Sequence, residues 1–326
     1  MVALRRWISP PARRFLAQTS AALAALAVAV AAHAGAELGV VKVTEAGYPE
    51  GPTYFEGALH YVEYSAGTIR VLDRTGSRLW WHSSSCGPSG LAVYRQHLLV
   101  ACYDSNELIE LDGAARETAR YSKEGSGATF RGPNDFTADG HGGVYFSASG
   151  DYDVHAPITG AILHLAADGR LRRVADTIHY PNGLTLDADG RHLLVAEMLA
   201  GRVLSFDVLG DGGLGARTVW ARLEDLAPPT RGADAYNGPD GLKRGPDGCY
   251  YIAQNGSGRV LVVNPQRERV AIITVPVPYV TNIGFLPDGT SYITATSDEW
   301  HPPYPGAVYR RAALGAPFCA RPRGGV

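Results

Sequence analysis

Six times along this chain a short cluster of Gly, Pro, Asn, Asp or Glu is followed by a β-rich run, with a period of about forty residues. The clusters are Glu50-Gly51-Pro52, Gly87-Pro88-Ser89-Gly90, Gly132-Pro133-Asn134-Asp135, Pro181-Asn182-Gly183, Gly238-Pro239-Asp240-Gly241 and Thr281-Asn282-Ile283-Gly284. With Glu50, Ser89, Asn134, Asn182, Asp240 and Asn282 as equivalent points, the gaps are 39, 45, 48, 58 and 42 residues. A repeat of that size means an array or a propeller, because one unit cannot bury its own apolar faces.

Each repeat reads as hairpins. In the first, residues 57–73 give a strand, Ser65-Ala66-Gly67 and a second strand. Paired runs follow at 97–102 and 107–112, 143–147 and 161–165, 192–196 and 202–207, 249–253 and 259–263, and 291–296 and 307–311. Asp139-Gly140, Asp168-Gly169, Asp189-Gly190, Asp247-Gly248 and Asp288-Gly289 are turn dipeptides that tolerate positive φ. No segment after the N-terminus sustains helical periodicity for a dozen residues, which disfavours parallel α/β folds. A β-helix competes, but its repeats are much shorter than forty residues. The expected fold is all-β: a six-bladed propeller of four-stranded antiparallel blades around a central channel. Residues 40–44 would add a strand to the last blade and close the ring. Residues 150–159 and 223–237 read as excursions placed to cover one mouth of the channel.

The first 36 residues stand apart. Arg5, Arg6, Arg13 and Arg14 make a basic start, residues 21–32 are small and apolar, and Ala32-His33-Ala34 fits a small-x-small cleavage site. The expectation is a signal peptide over 1–36, a single propeller domain over 37–326 and an exported, periplasmic or secreted, protein. Arg13-Arg14-Phe15-Leu16 also resembles a twin-arginine signal, so the export route stays open. Cleavage after Ala34 removes four arginines and no acid, taking the formal charge from −2 to −6 over 292 residues. A mildly acidic chain without Lys/Arg clusters is unsuited to nucleic acid or anionic membrane. The partner expected is a small-molecule substrate, met by a monomer. In an exported chain Cys86, Cys102, Cys249 and Cys319 are free to form disulfides; a Cys249–Cys319 bridge would pin the C-terminus, and four buried thiols are the alternative.

In a propeller the innermost strands begin near the axis, so equivalent anchors converge. Glu50, Asn182 and Asp240 would offer two carboxylates and an amide oxygen, with Asn134 as a fourth contributor. Hard oxygen ligands suit one divalent cation, Ca²⁺ ahead of Mg²⁺ or Mn²⁺, with Zn²⁺ as a further option. Pro-Asn-Gly and Pro-Asp-Gly also form turns in their own right, so each anchor alone has a purely structural explanation. His179 is a candidate base or substrate contact at the mouth, and an exposed loop histidine is the plainer account. No Gly-x-Ser-x-Gly elbow occurs, and Ser89 has no evident base.

The run Tyr48-Pro-Glu-Gly-Pro-Thr-Tyr, Pro133-Asn134-Asp135, His179 to Gly190 and Gly238-Pro-Asp-Gly-Leu resembles the gluconolactonase/regucalcin (senescence marker protein) family over about residues 45–312. The resemblance implies a six-bladed propeller with one central divalent metal held by Glu50, Asn182 and Asp240. It places Asn134 beside the metal as ligand or substrate contact, with Asp135 adjacent. The family's sugar-lactone hydrolases place an arginine two residues before the third-blade Asn; here Gly132 stands there and Arg131 lies one residue further out, as a displaced substrate contact. The sixth blade has Asn282-Ile283-Gly284-Phe285-Leu286 in place of a Gly-Gly-rich segment.

Together these features point to hydrolysis of a small ester, foremost a lactone, with the carbonyl polarised by the cation and Asp240 as the base toward water. Direct attack by Asp240 is the variant of the related phosphotriesterase propellers. The competing readings are a non-enzymatic ligand- or protein-binding propeller with a structural cation, and a strictosidine-synthase-like propeller, against which Glu50 and Asp240 together argue.

Overall fold

A computed structural model describes residues 39–230, 236–313 and 318–319. The expected signal peptide, with its boundary at residue 36, and part of the 223–237 excursion lie outside them. Among the described residues, 24 strands form six four-stranded antiparallel sheets. The first blade runs from β2 (Pro49–Phe55) to β5 (Gly76–His82), the second from β6 (Pro88–Tyr94) to β9 (Glu117–Tyr121), and the third from β10 (Pro133–Ala138) to β13 (Leu171–Ile178). The fourth runs from β14 (Pro181–Leu186) to β17 (Leu214–Arg222) and the fifth from β18 (Pro239–Arg244) to β21 (Arg269–Thr274). The sixth joins β22 (Tyr279–Phe285), β23 (Ser291–Thr296) and β24 (Pro305–Arg311) to β1 (Val41–Gly47). The expected closure therefore forms: Val41 pairs with Arg310 and Glu45 with Ala307. Each innermost strand packs against those of its two neighbours, in the ring β2, β6, β10, β14, β18, β22.

The core lies between blades and not in the channel. Leu99 and Leu108 of the second blade pack with Phe136, Phe146 and Leu163 of the third. Val203 of the fourth packs with Leu242, Ile252 and Leu261 of the fifth. A middle strand has a sheet on both faces, which is why β7 (His97–Cys102) reads as the near-continuous apolar run His-Leu-Leu-Val-Ala-Cys. Outermost strands have one free face and are mostly exposed, as in β5 and β9. The one α-helix among the described residues is a single turn, α1 (Leu223–Leu226), in the expected excursion.

Both pairs of cysteines are bonded, Cys86 to Cys102 across 16 residues and Cys249 to Cys319 across 70. Loop-closure entropy sets their stabilisation at about 3 and about 4 kcal/mol. The second bond ties the C-terminal segment to the fifth blade, and the four-free-thiol alternative falls.

Candidate active site

Every innermost strand carries a register shift at or beside its anchor: between Glu50 and Thr53, Pro88 and Gly90, Pro133 and Phe136, Pro181 and Leu184, Pro239 and Leu242, and Val280 and Asn282. A bulge leaves a residue out of the ladder and re-aims its side chain. Here the effect is to turn the anchor away from the blade and toward the axis. The glycine beside the anchor lets neighbouring blades approach that closely. A Cβ on Gly90 would lie 2.0 Å from the Asn134 carbonyl oxygen, and one on Gly183 would lie 2.0 Å from the Leu242 nitrogen. Hydroxyls stitch the same ring: Ser89 Oγ donates to the Pro133 carbonyl at 2.8 Å, Ser149 Oγ to Pro181 at 2.7 Å and Thr281 Oγ1 to Pro49 at 2.7 Å. Ser89 is thereby a blade-to-blade tie.

Glu50, Asn134, Asn182 and Asp240 come together in one pocket of about 310 Å³. Their relative exposures are 6%, 7%, 4% and 4%, so these polar groups are withdrawn from bulk water. The amide nitrogens point into the protein, Asn134 Nδ2 donating to Ser149 Oγ at 3.1 Å and Asn182 Nδ2 lying 3.7 Å from Met198 Sδ. Asn182 Oδ1 and Asp240 Oδ1 are buried and accept no hydrogen bond. Orphaned buried acceptors are rare and costly, so they signal a missing partner. Two oxygens from blades four and five, beside the Glu50 carboxylate of blade one, form a donor set that fits a hard divalent cation.

Electrostatics agree with that test. Burial, and then the Asp135 charge, push the Glu50 carboxyl up to about 8, although Asn282 and the Gly51 N–H donate to it. Burial holds the Asp240 carboxyl well above the usual range, followed by the charges of Glu50 and Glu299. Glu50, Asp240 and Glu299 all line the pocket, and among the described residues no lysine, arginine or histidine lines it. Such a site favours a cation.

Asp135 takes a different part. Both of its oxygens accept from Lys243 Nζ, at 2.7 and 2.8 Å, and the same ammonium donates to the Phe136 carbonyl at 3.0 Å. Asn282 Nδ2 spans Glu50 Oε2 at 3.0 Å and Asp135 Oδ2 at 3.3 Å. Asp135 is therefore held in a polar cross-brace that reaches Glu50 through Asn282 and is not among the lining residues. Arg131 and His179 are not brought to the lining either. The Arg131 guanidinium pairs with Asp151 at 2.8 Å with 65% of its side chain exposed, and His179 turns its backbone N–H to Glu197.

Sequence reasoning missed Asn255, Glu299 and the pocket walls. Asn255 Nδ2 donates to Glu299 Oε2 at 3.0 Å and to Asp240 Oδ2 at 3.4 Å, joining the fifth-blade anchor to a loop of the sixth. The walls are rich in tyrosine, including Tyr48 and Tyr180, each directly before an anchor's proline. That repeated Tyr-Pro was the one available signal.

Residues 48–297 match the family model of the SMP-30/gluconolactonase/LRE-like region. The chain belongs to this family. Among curated proteins it is similar to the lactonase drp35 of Staphylococcus aureus, 27% identical over 172 residues, which are 51% of this chain and 50% of the relative. The match thus spans about half the length of that relative. In fold it is similar to a gluconolactonase from Xanthomonas campestris, with a TM-score of 0.69 at 19% identity over 85% of this chain and 91% of the other. It is likewise similar to the calcium-binding protein regucalcin of Agrobacterium tumefaciens, with a TM-score of 0.66 at 18% identity over 84% and 92%. The propeller resemblance drawn from the short motifs agrees with this family membership.

Proposed function

We propose that this protein is a cation-dependent hydrolase of a small ester, foremost a lactone. The observation that carries the reading is the convergence of Glu50, Asn182 and Asp240 in one buried pocket, with the Oδ1 atoms of Asn182 and Asp240 lacking partners. These three residues would hold a divalent cation. When bound, such a cation polarises an ester carbonyl and stabilises negative charge developing on its oxygen. Lactonase and calcium-binding relatives support the reaction class and Ca²⁺ as the first ion to test.

The chain's own residues supply the rest. Asp240 would take the proton of an attacking water on its Oδ2, steadied by Asn255, while its Oδ1 is the oxygen offered to the cation. Asn134 lines the pocket and is the contact for the substrate's polar atoms. Burial of the floor excludes bulk water and strengthens each of these interactions. The two disulfides support an exported protein, since such bonds persist in oxidising compartments.

The test is hydrolysis by chelator-stripped protein of aldonolactones, other γ- and δ-lactones and an aryl ester, with Ca²⁺, Mg²⁺, Mn²⁺ or Zn²⁺ restored singly. Turnover that returns with a hard divalent cation and is absent in Asp240→Ala is the expected result. Cation binding without turnover on any ester would replace the reading with a binding propeller whose metal is structural.

A further inference from the structure

The sixth-blade anchor is turned the opposite way from the other asparagine anchors. Asn182 points its Nδ2 at Met198 and leaves Oδ1 without a partner, and Asn134 points its Nδ2 at Ser149. In Asn282 the backbone fixes the reverse: Oδ1 accepts the Ile283 N–H at 2.9 Å, and Nδ2 is aimed at the carboxylates of Glu50 and Asp135. Asn282 is 1% exposed and is not among the pocket's lining residues, so it offers a cation nothing directly. Gly241 makes room for it, since a Cβ there would lie 2.3 Å from Asn282 Oδ1.

The links behind Asn282 are closed. The ammonium of Lys243 has three protons, and its acceptors are both Asp135 oxygens and the Phe136 carbonyl. Asp135 Oδ1 also accepts the Phe136 N–H at 2.7 Å, while Oδ2 takes Asn282. The ammonium therefore fixes the carboxylate, and the carboxylate fixes the amide. Side chains of the fifth, third, sixth and first blades take part, through Lys243, Asp135, Asn282 and Glu50. A buried polar chain with every member satisfied holds one geometry.

At the far end Glu50 Oε2 accepts twice, from Asn282 at 3.0 Å and from the Gly51 N–H at 2.7 Å. Oε1 is the oxygen that remains for a cation. The last torsion of a glutamate is broad, so an unbraced Glu50 would not keep the two oxygens in separate roles. A network that only tied blades together would have no need to end on a pocket carboxylate.

We infer that Asn282 is a positioning residue for the cation site: held from behind by Asp135 and Lys243, it locks Glu50 with Oε1 turned to the cation. This rests on the cation-dependent reading above. Groups that orient a metal ligand in this way commonly account for about 10–100-fold in affinity.

The experiment titrates Ca²⁺ calorimetrically into chelator-stripped wild type, Asn282→Leu, Glu50→Gln and the double variant. Turnover of the lactone and ester panel is followed over the same Ca²⁺ range. Leucine keeps the branched outline of asparagine without a charge or a donor. Asn282→Leu should raise the Kd for Ca²⁺ by about 10–100-fold, with turnover recovering as Ca²⁺ is raised and the KM for the ester little changed. In the Glu50→Gln background the same substitution should cost about twofold or less, because the group that it positions is already altered. Asn282→Ser keeps one donor and should lose less; it carries the same test if Asn282→Leu does not fold. A Kd unchanged in both variants, or equal losses in the two backgrounds, would overturn the positioning role and leave the hydrolase reading intact. The expected affinity pattern with no turnover of any lactone or ester would sink the hydrolase reading and leave Asn282 in its role. No binding of Ca²⁺ by the wild type would remove both.

Discussion

Strand β14 has an oxygen-rich cluster at each end, and the two differ in kind. At its start Asn182 meets Asp240 and Glu50 in the pocket. Just past its end Asp187, Asp189 and His192 offer ligand atoms within 4.8 Å of one another. In the turn the acids are satisfied locally: Asp187 accepts the His192 N–H at 3.2 Å and pairs with Nδ1 at 2.6 Å, and Asp189 accepts the Arg191 N–H at 3.1 Å. Those contacts hold the Asp189 carboxyl below its ordinary range, with the Arg191 N–H as the largest cause. In the pocket the acids lie buried among other acids, and Asp240 Oδ1 is left over. Proximity of carboxylates thus does not make a site. Acceptors that the fold leaves unfilled do.

The largest expected contrast is in turnover. Asp240→Ala should lower cation-dependent kcat by about 10³-fold or more, the scale of a lost general base. Asp189→Ala at the other end should stay within about twofold, since it only opens a solvated turn. Equal losses, measured side by side on the same ester with circular dichroism unchanged, would erase the distinction.

Next comes stability. Gly183→Ala would drive a Cβ into the fifth blade's backbone and should cost about 3 kcal/mol in urea unfolding. Gly190, at φ +73° with open space around it, should cost only about 1 kcal/mol on the same change. A Gly183→Ala variant as stable as Gly190→Ala would mean that the inner ring is loosely packed.

A third contrast is the pH dependence of the cation-free protein. Glu50 has a folded value near 8 against a reference of 4.5, so the native state holds more protons than the unfolded one between these values. Stability should therefore fall as pH rises through that window, and Glu50→Gln should flatten the fall. Asp189 has the opposite sign: its contribution is present above 3.8 and lost as pH drops below it. Thermal melts of wild type, Glu50→Gln and Asp189→Asn in chelator separate the two; a Glu50→Gln profile parallel to wild type would remove the buried-acid explanation.

Much of this was legible before any coordinates. Strands announced themselves because alternation and Asp-Gly turns depend on residues a few positions apart. The closing strand was legible too, since β1 is the one β-rich stretch before the first anchor. Asp135 was less so: its pairing with Lys243 crosses 108 positions and two blades, and nothing local in Asn134-Asp135 marks it. Arg131 reads as a displaced substrate contact from the family resemblance alone, and its pairing with Asp151, twenty residues on, has no local signal.

The chain alone therefore determined the number of blades, their antiparallel hairpins and the anchor positions, all consequences of short-range pattern and repeat. Tertiary structure alone decided which oxygens are left without partners, which acids are braced by Lys243 and Asn282, and how tyrosines from positions 48 to 304 meet around one mouth. The physical reason is ring closure. It brings together side chains from separate blades, and their desolvation depends on neighbours that no local window contains.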